Sequence, residues 1–188
     1  TLRVTLQTQV AIIGAGPAGS LLSHLLHRSG IDSIVVVRSS RNHVLDRIRA
    51  GVLEWGSVEV LRAAGLDARM DAEGHVHDGA ALVWGGREAF FIDINRHVGS
   101  HFMSYGQTKM QEDLYAAADV RHAAIVFEAA NVEVHDPLSD RPSITFDVGG
   151  IAERVDADYV VGCDGYHGAA RPAIPDTVLR TFEKEYPF

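Results

Sequence analysis

Val10-Ala11-Ile12-Ile13-Gly14-Ala15-Gly16-Pro17-Ala18-Gly19 is the stretch whose reading decides the fold of this chain. Four uninterrupted apolar residues ending in glycine read as a short strand buried on both faces. From residue 18 to residue 29 the apolar positions Leu21, Leu22, Leu25 and Leu26 recur at helical spacing, and Gly30 supplies a stop. A second β-branched run follows at residues 34–37. Strand, glycine-rich turn, helix and strand in that order make a βαβ unit, so an α/β fold with a parallel sheet is expected. The turn has the form GxGxxG, and the flanking strand and helix are the context in which that form speaks for a dinucleotide. Gly14 permits the tight turn, Gly16 lets backbone approach a pyrophosphate, and Gly19 lets helix and strand pack closely. Phosphate charge then meets the unpaired N–H groups in the first helical turn, around Ala18. Glycines that only punctuate a turn are the plainer alternative, and the complete βαβ unit argues against it.

The same fingerprint ordinarily ends its second strand in Asp or Glu, which accepts hydrogen bonds from the adenosine ribose. Here that position is Val37, and the nearest carboxylates along the chain, Asp32 and Asp46, fall outside it. Loss of a charged hydrogen bond, worth about 1.5–3 kcal/mol, would weaken a dinucleotide by roughly ten- to a hundredfold.

Further along, residues 38–51 are polar and basic, as in a loop or short helix. Residues 52–64 read as an amphipathic helix stopped at Gly65, and residues 107–118 as another. Alternation at 80–84 and 88–92 about Gly85-Gly86 predicts a hairpin. Strands are expected at 132–134, 144–148 and 159–161, the last running into Gly162-Cys163-Asp164-Gly165. The whole is thus a parallel α/β sheet with a smaller antiparallel hairpin or meander, and without a Pro/Gly/Ser linker it reads as one continuous body.

The 188 residues carry 17 Lys+Arg against 25 Asp+Glu, a formal charge of -8. A nucleic-acid partner needs a basic stripe, so neither DNA nor RNA is expected, nor an anionic membrane surface. No apolar run approaches the ~20 residues of a membrane span, and the single cysteine, Cys163, suits a reducing compartment. A cytoplasmic protein is expected. The chain opens on Thr1 and not on Met, so a fragment or a processed chain is expected.

Three stretches go beyond a generic nucleotide fold: residues 8–17, Arg47-Ile48-Arg49-Ala50-Gly51-Val52-Leu53-Glu54, and Gly162-Cys163-Asp164-Gly165-Tyr166-His167-Gly168. Together with Tyr105-Gly106-Gln107-Thr108 and the closing Tyr186-Pro187-Phe188, they resemble the FAD-dependent aromatic hydroxylases of the 4-hydroxybenzoate 3-monooxygenase family. The resemblance runs from about Gln7 to Phe188. It implies a Rossmann-like FAD-binding fold, with FAD at Gly14, Gly16, Ala18 and Gly19. It also implies that Arg49 contacts the pyrophosphate through its planar guanidinium, with Arg47, Gly51 and Val52 on the same segment and Gln107 touching the flavin cofactor. Taken alone, Gln107 would be a helix cap.

By the same resemblance, Asp164-Gly165 serves both FAD and the incoming nicotinamide nucleotide, and His167 helps to hold NADPH. Near a phosphate dianion such a histidine gains proton affinity. As an isolated pair, Asp164-Gly165 would be a turn. Nicotinamide choice falls to the segment after the second strand, where Arg38, Arg41 and His43 could meet a 2'-phosphate; NADPH is expected, and a solvated basic loop accounts for these residues equally. The implied reaction is hydroxylation of 4-hydroxybenzoate to 3,4-dihydroxybenzoate with NADPH and O2. The resemblance implies that the substrate domain and the part that closes the FAD domain lie beyond residue 188, so a truncated domain in which no residue is catalytic is expected. By itself it is expected to be inactive, and in the full-length protein to form a homodimer. A non-catalytic dinucleotide-binding module and another flavoenzyme of the same fold, such as a halogenase or reductase, are the alternatives; the segment from Arg47 to Glu54 argues against the latter.

Two histidine pairs, His24 with His27 and His75 with His77, are read as structural or surface residues, because a metal site needs three or four convergent ligands. His77 also matches a family position near the nicotinamide-handling surface. Cys163 reads as a packed small residue.

Overall fold

The computed structural model describes residues 5–47 and 49–186; Ile48, inside the arginine-rich motif, and Pro187-Phe188, in the closing motif, lie outside the described residues. In chain order the elements are β1 (Thr5–Ile13), α1 (Pro17–Arg28), β2 (Ser33–Val36), α2 (Arg41–Asp46), β3 (Val52–Glu54), α3 (Trp55–Ala63), α4 (Ala68–Glu73), β4 (His75–His77), β5 (Gly79–Leu82), β6 (Phe90–Asp93), α5 (Ile94–Val98), β7 (Phe102–Ser104), α6 (Gln107–Val120), β8 (Ala124–Val126), β9 (Ala130–His135), β10 (Ser143–Val148), β11 (Ile151–Gly162) and a single 3-10 turn at Arg171–Ala173. They sort into two compact units, Thr1–Ser40 with Ala124–Phe188, and Arg41–Ala123. The single continuous body expected from the missing linker is therefore divided. The joints at residues 40/41 and 123/124 carry no glycine or proline to mark them.

The first unit is a six-stranded sheet of order β8-β2-β1-β11-β10-β9. β1 runs parallel to β2 on one side, from Val10 opposite Ser33 to Ile13 opposite Val36. On its other side it runs parallel to β11, from Thr5 opposite Arg154 to Ile13 opposite Gly162. Only its last four residues are flanked on both sides, and these are the four that are fully buried, whereas Thr5 to Gln9 alternate. That explains why the sequence showed a strand only from Val10: a half-covered strand alternates, and a doubly covered one is uniformly apolar. β8 lies parallel beside β2, while β10 pairs antiparallel with both β11 and β9. Ala11, Ile13, Ile34, Val36, Ile144, Phe146 and Val155 form the core on one face of this sheet.

β11 is far longer than the expected three-residue strand, because Gly149 and Gly150, with φ of 57° and 77°, fold β10 back into it. Both central turn residues at positive φ make the tight hairpin whose twist matches the strands.

In the second unit β3, β7 and β4 form an antiparallel sheet, and β5 with β6 a separate hairpin. The expected hairpin is present with shorter strands, closed by Trp84 to Arg87, where Gly85 and Gly86 have φ of 55° and 68°. Val83, Trp84, Phe90 and Phe91 on it are exposed. The expected helix at 52–64 is corrected at its start: Val52 to Glu54 is the strand β3, paired with Ser104 to Phe102, and the helix begins at Trp55. β-branched Val52 suits that strand, and an extended Glu54, with φ -66° and ψ 149°, leads into α3. Val58, Leu61, Met70, Met103, Leu114 and Tyr115 are among the buried apolar side chains of this unit.

Candidate functional site

β8, β2, β1 and β11 are parallel, so their carboxyl ends share one edge of the sheet. Ligands of open α/β sheets bind outside that edge, where the chain leaves neighbouring strands in opposite directions. Here that place lies between β1, which connects across to β2, and β11 on its other side.

The glycine turn stands there. Gly14 adopts φ +106°, donates its N–H to the Val36 carbonyl at 2.8 Å, and is so close to β11 that an added Cβ would fall 2.3 Å from the Cys163 carbonyl oxygen. At Gly19 a Cβ would meet the Gly14 carbonyl oxygen at 1.9 Å. These two glycines are packing glycines. At Gly16 a Cβ would meet nothing within 4 Å. Gly16 is the N-cap of the twelve-residue α1, no side chain caps that helix end, Pro17 occupies its first turn and Ala18 is exposed. An open backbone approach before an uncapped helix end fits a pyrophosphate, whose charge the helix dipole favours. Ser20 fixes the turn from behind, its hydroxyl donating to the Ala15 carbonyl at 3.0 Å.

The second fingerprint forms the neighbouring wall. Cys163 donates its N–H to the Ile13 carbonyl at 2.7 Å, which locks the end of β11 to the end of β1. Burial, with Asp164 adding to it, pushes the Cys163 thiol up, so it stays protonated and packed. The Asp164 carboxylate accepts the Ala170 N–H at 3.0 Å. Gly165 has φ +78° and Gly168 returns against Asp164, whose carboxylate fills the space where a residue-168 Cβ would lie. The sequence had not singled out Gly168; its one signal was a second glycine three residues after Gly165. His167 is exposed and meets the Tyr166 ring edge-on at 4.9 Å between centroids, and Arg171 lies over that ring.

Val37, just past β2, is buried; it donates to the Val126 carbonyl at 2.9 Å and accepts from Ala129 at 3.0 Å. Arg38 beyond it is exposed.

In the second unit Arg47 and Arg49 are exposed and lie outside helices and strands. What fixes them is Gly51. Its carbonyl accepts the Tyr105 N–H at 2.7 Å, and a Cβ there would strike Gly106 Cα and the Tyr105 carbonyl oxygen, both at 2.7 Å. Gly106 is the N-cap of α6 and Gln107 its first residue. Gly51, Val52 and Gln107, separated in sequence, are thereby brought together. Tyr105 anchors the junction: its buried hydroxyl donates to Asp113 at 2.5 Å, and burial followed by that carboxylate raises its pKa.

His43 is exposed on α2. Arg41, weighed with it as a phosphate partner, is corrected: its guanidinium makes a two-pronged pair with Asp119 at 2.7 and 2.6 Å and lies over the Tyr115 ring. Burial pushes the Tyr115 hydroxyl up to about 12. Among the described residues no three His, Cys, Asp or Glu side chains gather as a metal site requires. His77 stacks on Phe102, with ring centroids 5.2 Å apart. No helix among the described residues is long and apolar enough to cross a membrane.

Comparison with known proteins agrees with this geometry. The chain is 39% identical over 185 residues to the p-hydroxybenzoate hydroxylase of Acinetobacter baylyi, covering 98% of this chain and 45% of that protein. It is 31% identical to the 6-methylpretetramide 4-monooxygenase of Streptomyces rimosus, over 95% of this chain and 44% of that one. The chain thus spans a little under half of these relatives. Its fold matches that of Pseudomonas aeruginosa PqsL, solved with 2-aminobenzoylacetate, at a TM-score of 0.75 and 22% identity, covering 96% of this chain and 48% of the other. The family model described as FAD binding domain matches residues 7–188. With an open glycine turn at the switch point of a parallel sheet, and that match across nearly its whole length, this chain belongs to the FAD binding domain family of flavoprotein monooxygenases.

Proposed function

We propose that this chain is the FAD-binding portion of a monooxygenase that hydroxylates 4-hydroxybenzoate to 3,4-dihydroxybenzoate with NADPH and O2. The observation that carries the substrate assignment is the likeness to p-hydroxybenzoate hydroxylase over almost the entire chain. When bound, FAD supplies the redox and oxygen chemistry, which no amino-acid side chain can provide. The chain's own residues bind and orient. Gly16 and the first turn of α1, with Ala18, receive the pyrophosphate, and Gly14 and Gly19 hold that turn against β11. Arg49, with Arg47 beside it, neutralises phosphate charge through a guanidinium fork. Gly51 and Val52 set the course of this segment, and Gln107 touches the cofactor through its amide. Asp164 and Gly165 stand beside the glycine turn, at the end of β11. Arg38, His43 and His167 are the exposed groups offered to NADPH.

The substrate-binding residues, part of the homodimer contacts and completion of the cofactor domain belong to the remainder of the protein, which works in the cytoplasm. A non-catalytic dinucleotide-binding module is the second reading, favoured by Val37 where a ribose-binding carboxylate is usual.

The test is made on the whole protein. NADPH consumption with 4-hydroxybenzoate, coupled to chromatographic appearance of 3,4-dihydroxybenzoate, is expected. FAD bound with no product from this substrate would overturn the substrate assignment; FAD bound with no NADPH oxidation under any aromatic acid would favour the module.

A further inference from the structure

Val37 leaves the end of β2 without the carboxylate that a ribose diol ordinarily meets, and no Asp or Glu lies between Ser33 and Ser40. The neighbouring parallel strand, β8, is followed two residues on by one, Glu128. Three backbone hydrogen bonds clasp the ends of β2 and β8: Val37 N–H to the Val126 carbonyl at 2.9 Å, Ala129 N–H to the Val37 carbonyl at 3.0 Å, and Glu128 N–H to the Ser39 carbonyl at 3.4 Å. Glu128 is thereby held opposite the segment 37–39, on the carboxyl edge of the sheet that also carries Gly14 and Gly16.

Two further features single out Glu128. It is exposed, and among the described residues no hydrogen bond or ion pair engages its carboxylate. It also sits at φ +58°, in the left-handed region that glycine, asparagine and aspartate occupy far more readily than glutamate. Such conformations persist where the surroundings over-determine them, and they concentrate at ligand sites. A backbone turn that would favour glycine instead carries a long carboxylate beside a position that has lost one.

We propose that Glu128 is the ribose-binding residue of this chain, its carboxylate accepting hydrogen bonds from the adenosine 2'- and 3'-hydroxyls in place of the missing group at Val37. This rests on the glycine turn being the FAD site. The acceptor has moved by one strand, from the end of β2 to the end of β8, with the same edge and the same chemistry retained. A long side chain suits the move, because Glu128 stands one strand, about 4.8 Å, farther from β1 than a residue on β2 would.

The experiment is equilibrium binding to the purified protein freed of cofactor, with FAD followed by flavin fluorescence and with ADP and 2',3'-dideoxy-ADP as displacing probes. Glu128→Gln is expected to weaken FAD and ADP about tenfold or more and to leave 2',3'-dideoxy-ADP unchanged, since that probe lacks the hydroxyls. Glu128→Gly should match Glu128→Gln in binding while unfolding no earlier than the parent in urea, because glycine accepts the backbone conformation freely. Adding Val37→Glu to the E128Q protein is expected to restore affinity for ADP but not for the dideoxy probe. Unchanged ADP affinity in folded E128Q or E128G protein, or an equal loss for both probes, would overturn the assignment. Failure of the parent protein to bind FAD or ADP would overturn the cofactor reading and this inference with it; FAD binding that is indifferent to Glu128 overturns the inference alone.

Discussion

The glycine turn after β1 and the arginine segment before β3 solve related problems in opposite ways. In the turn, backbone packs on backbone: Gly14 and Gly19 are buried between α1 and the end of β11, and only Gly16 opens outward. In the arginine segment the working groups, Arg47 and Arg49, are exposed, and a single contact, Gly51 against Tyr105 and Gly106, fixes their course. Gly14 and Gly19 are therefore inseparable from the core, and changes at these two act on folding before they act on a ligand. The second region is a displayed strip, where charges can be altered at small cost to folding.

Substitutions can break this contrast, and the largest effect is expected at Gly19. Gly19→Ala places a methyl group 1.9 Å from the Gly14 carbonyl oxygen, which only backbone movement can relieve. A loss of about 3 kcal/mol or more is expected in urea unfolding. A smaller loss, about 1–3 kcal/mol, is expected for Gly51→Ala, whose methyl would meet Gly106 Cα and the Tyr105 carbonyl at 2.7 Å; parent-like stability there would show that the arginine segment is not held by this contact.

The pair between Arg41 and Asp119 tests the displayed region by pH. The Arg41 hydrogen bond holds the Asp119 carboxyl below its usual range, so folding gains from the ionised form. That gain is present above the unfolded carboxylate pKa of about 4 and is lost as pH falls through the lower folded value. Both side chains are substantially exposed, at 40% and 58%, so the gain should be under about 1 kcal/mol. Asp119→Asn should remove it; if parent and variant lose stability identically below pH 4, the pair contributes nothing.

The smallest effect on stability sharpens the contrast most. Gly16→Ala meets no atom within 4 Å and should alter folding by no more than about 0.5 kcal/mol. FAD affinity should nevertheless fall, because the methyl occupies the pyrophosphate's approach. Unimpaired FAD titration of this variant would separate the turn from the cofactor.

Much of the first unit was legible because its signals are local. Glycine identity, helical spacing and β-branched runs lie within thirty residues of one another, and they specify the βαβ unit whatever the rest of the chain does. The close contact of Gly51 with Gly106 was not legible, since it joins residues that no periodicity relates. β3 was hidden because Val52-Leu53-Glu54 is too short to show alternation, and its pairing with β7 overrides the helical pattern that follows. β8 is likewise three residues long and owes its place to β2. Arg41 looked like its neighbour Arg38 in sequence, and only the fold shows it committed to Asp119. Charge type can be read from a sequence, but the partner that consumes a charge cannot.

Residue 10 is paired with residue 33 on one side and with residue 159 on the other. During synthesis the βαβ unit is complete soon after β2 emerges, yet the wall against which Gly14 packs, Cys163 and Asp164, is made only once β11 has followed. Loop closure over that length is the slow and entropically costly part of assembling such a sheet. The nascent chain therefore carries a recognisable dinucleotide turn before the wall of its site exists, and cofactor capture cannot precede synthesis of the end of β11.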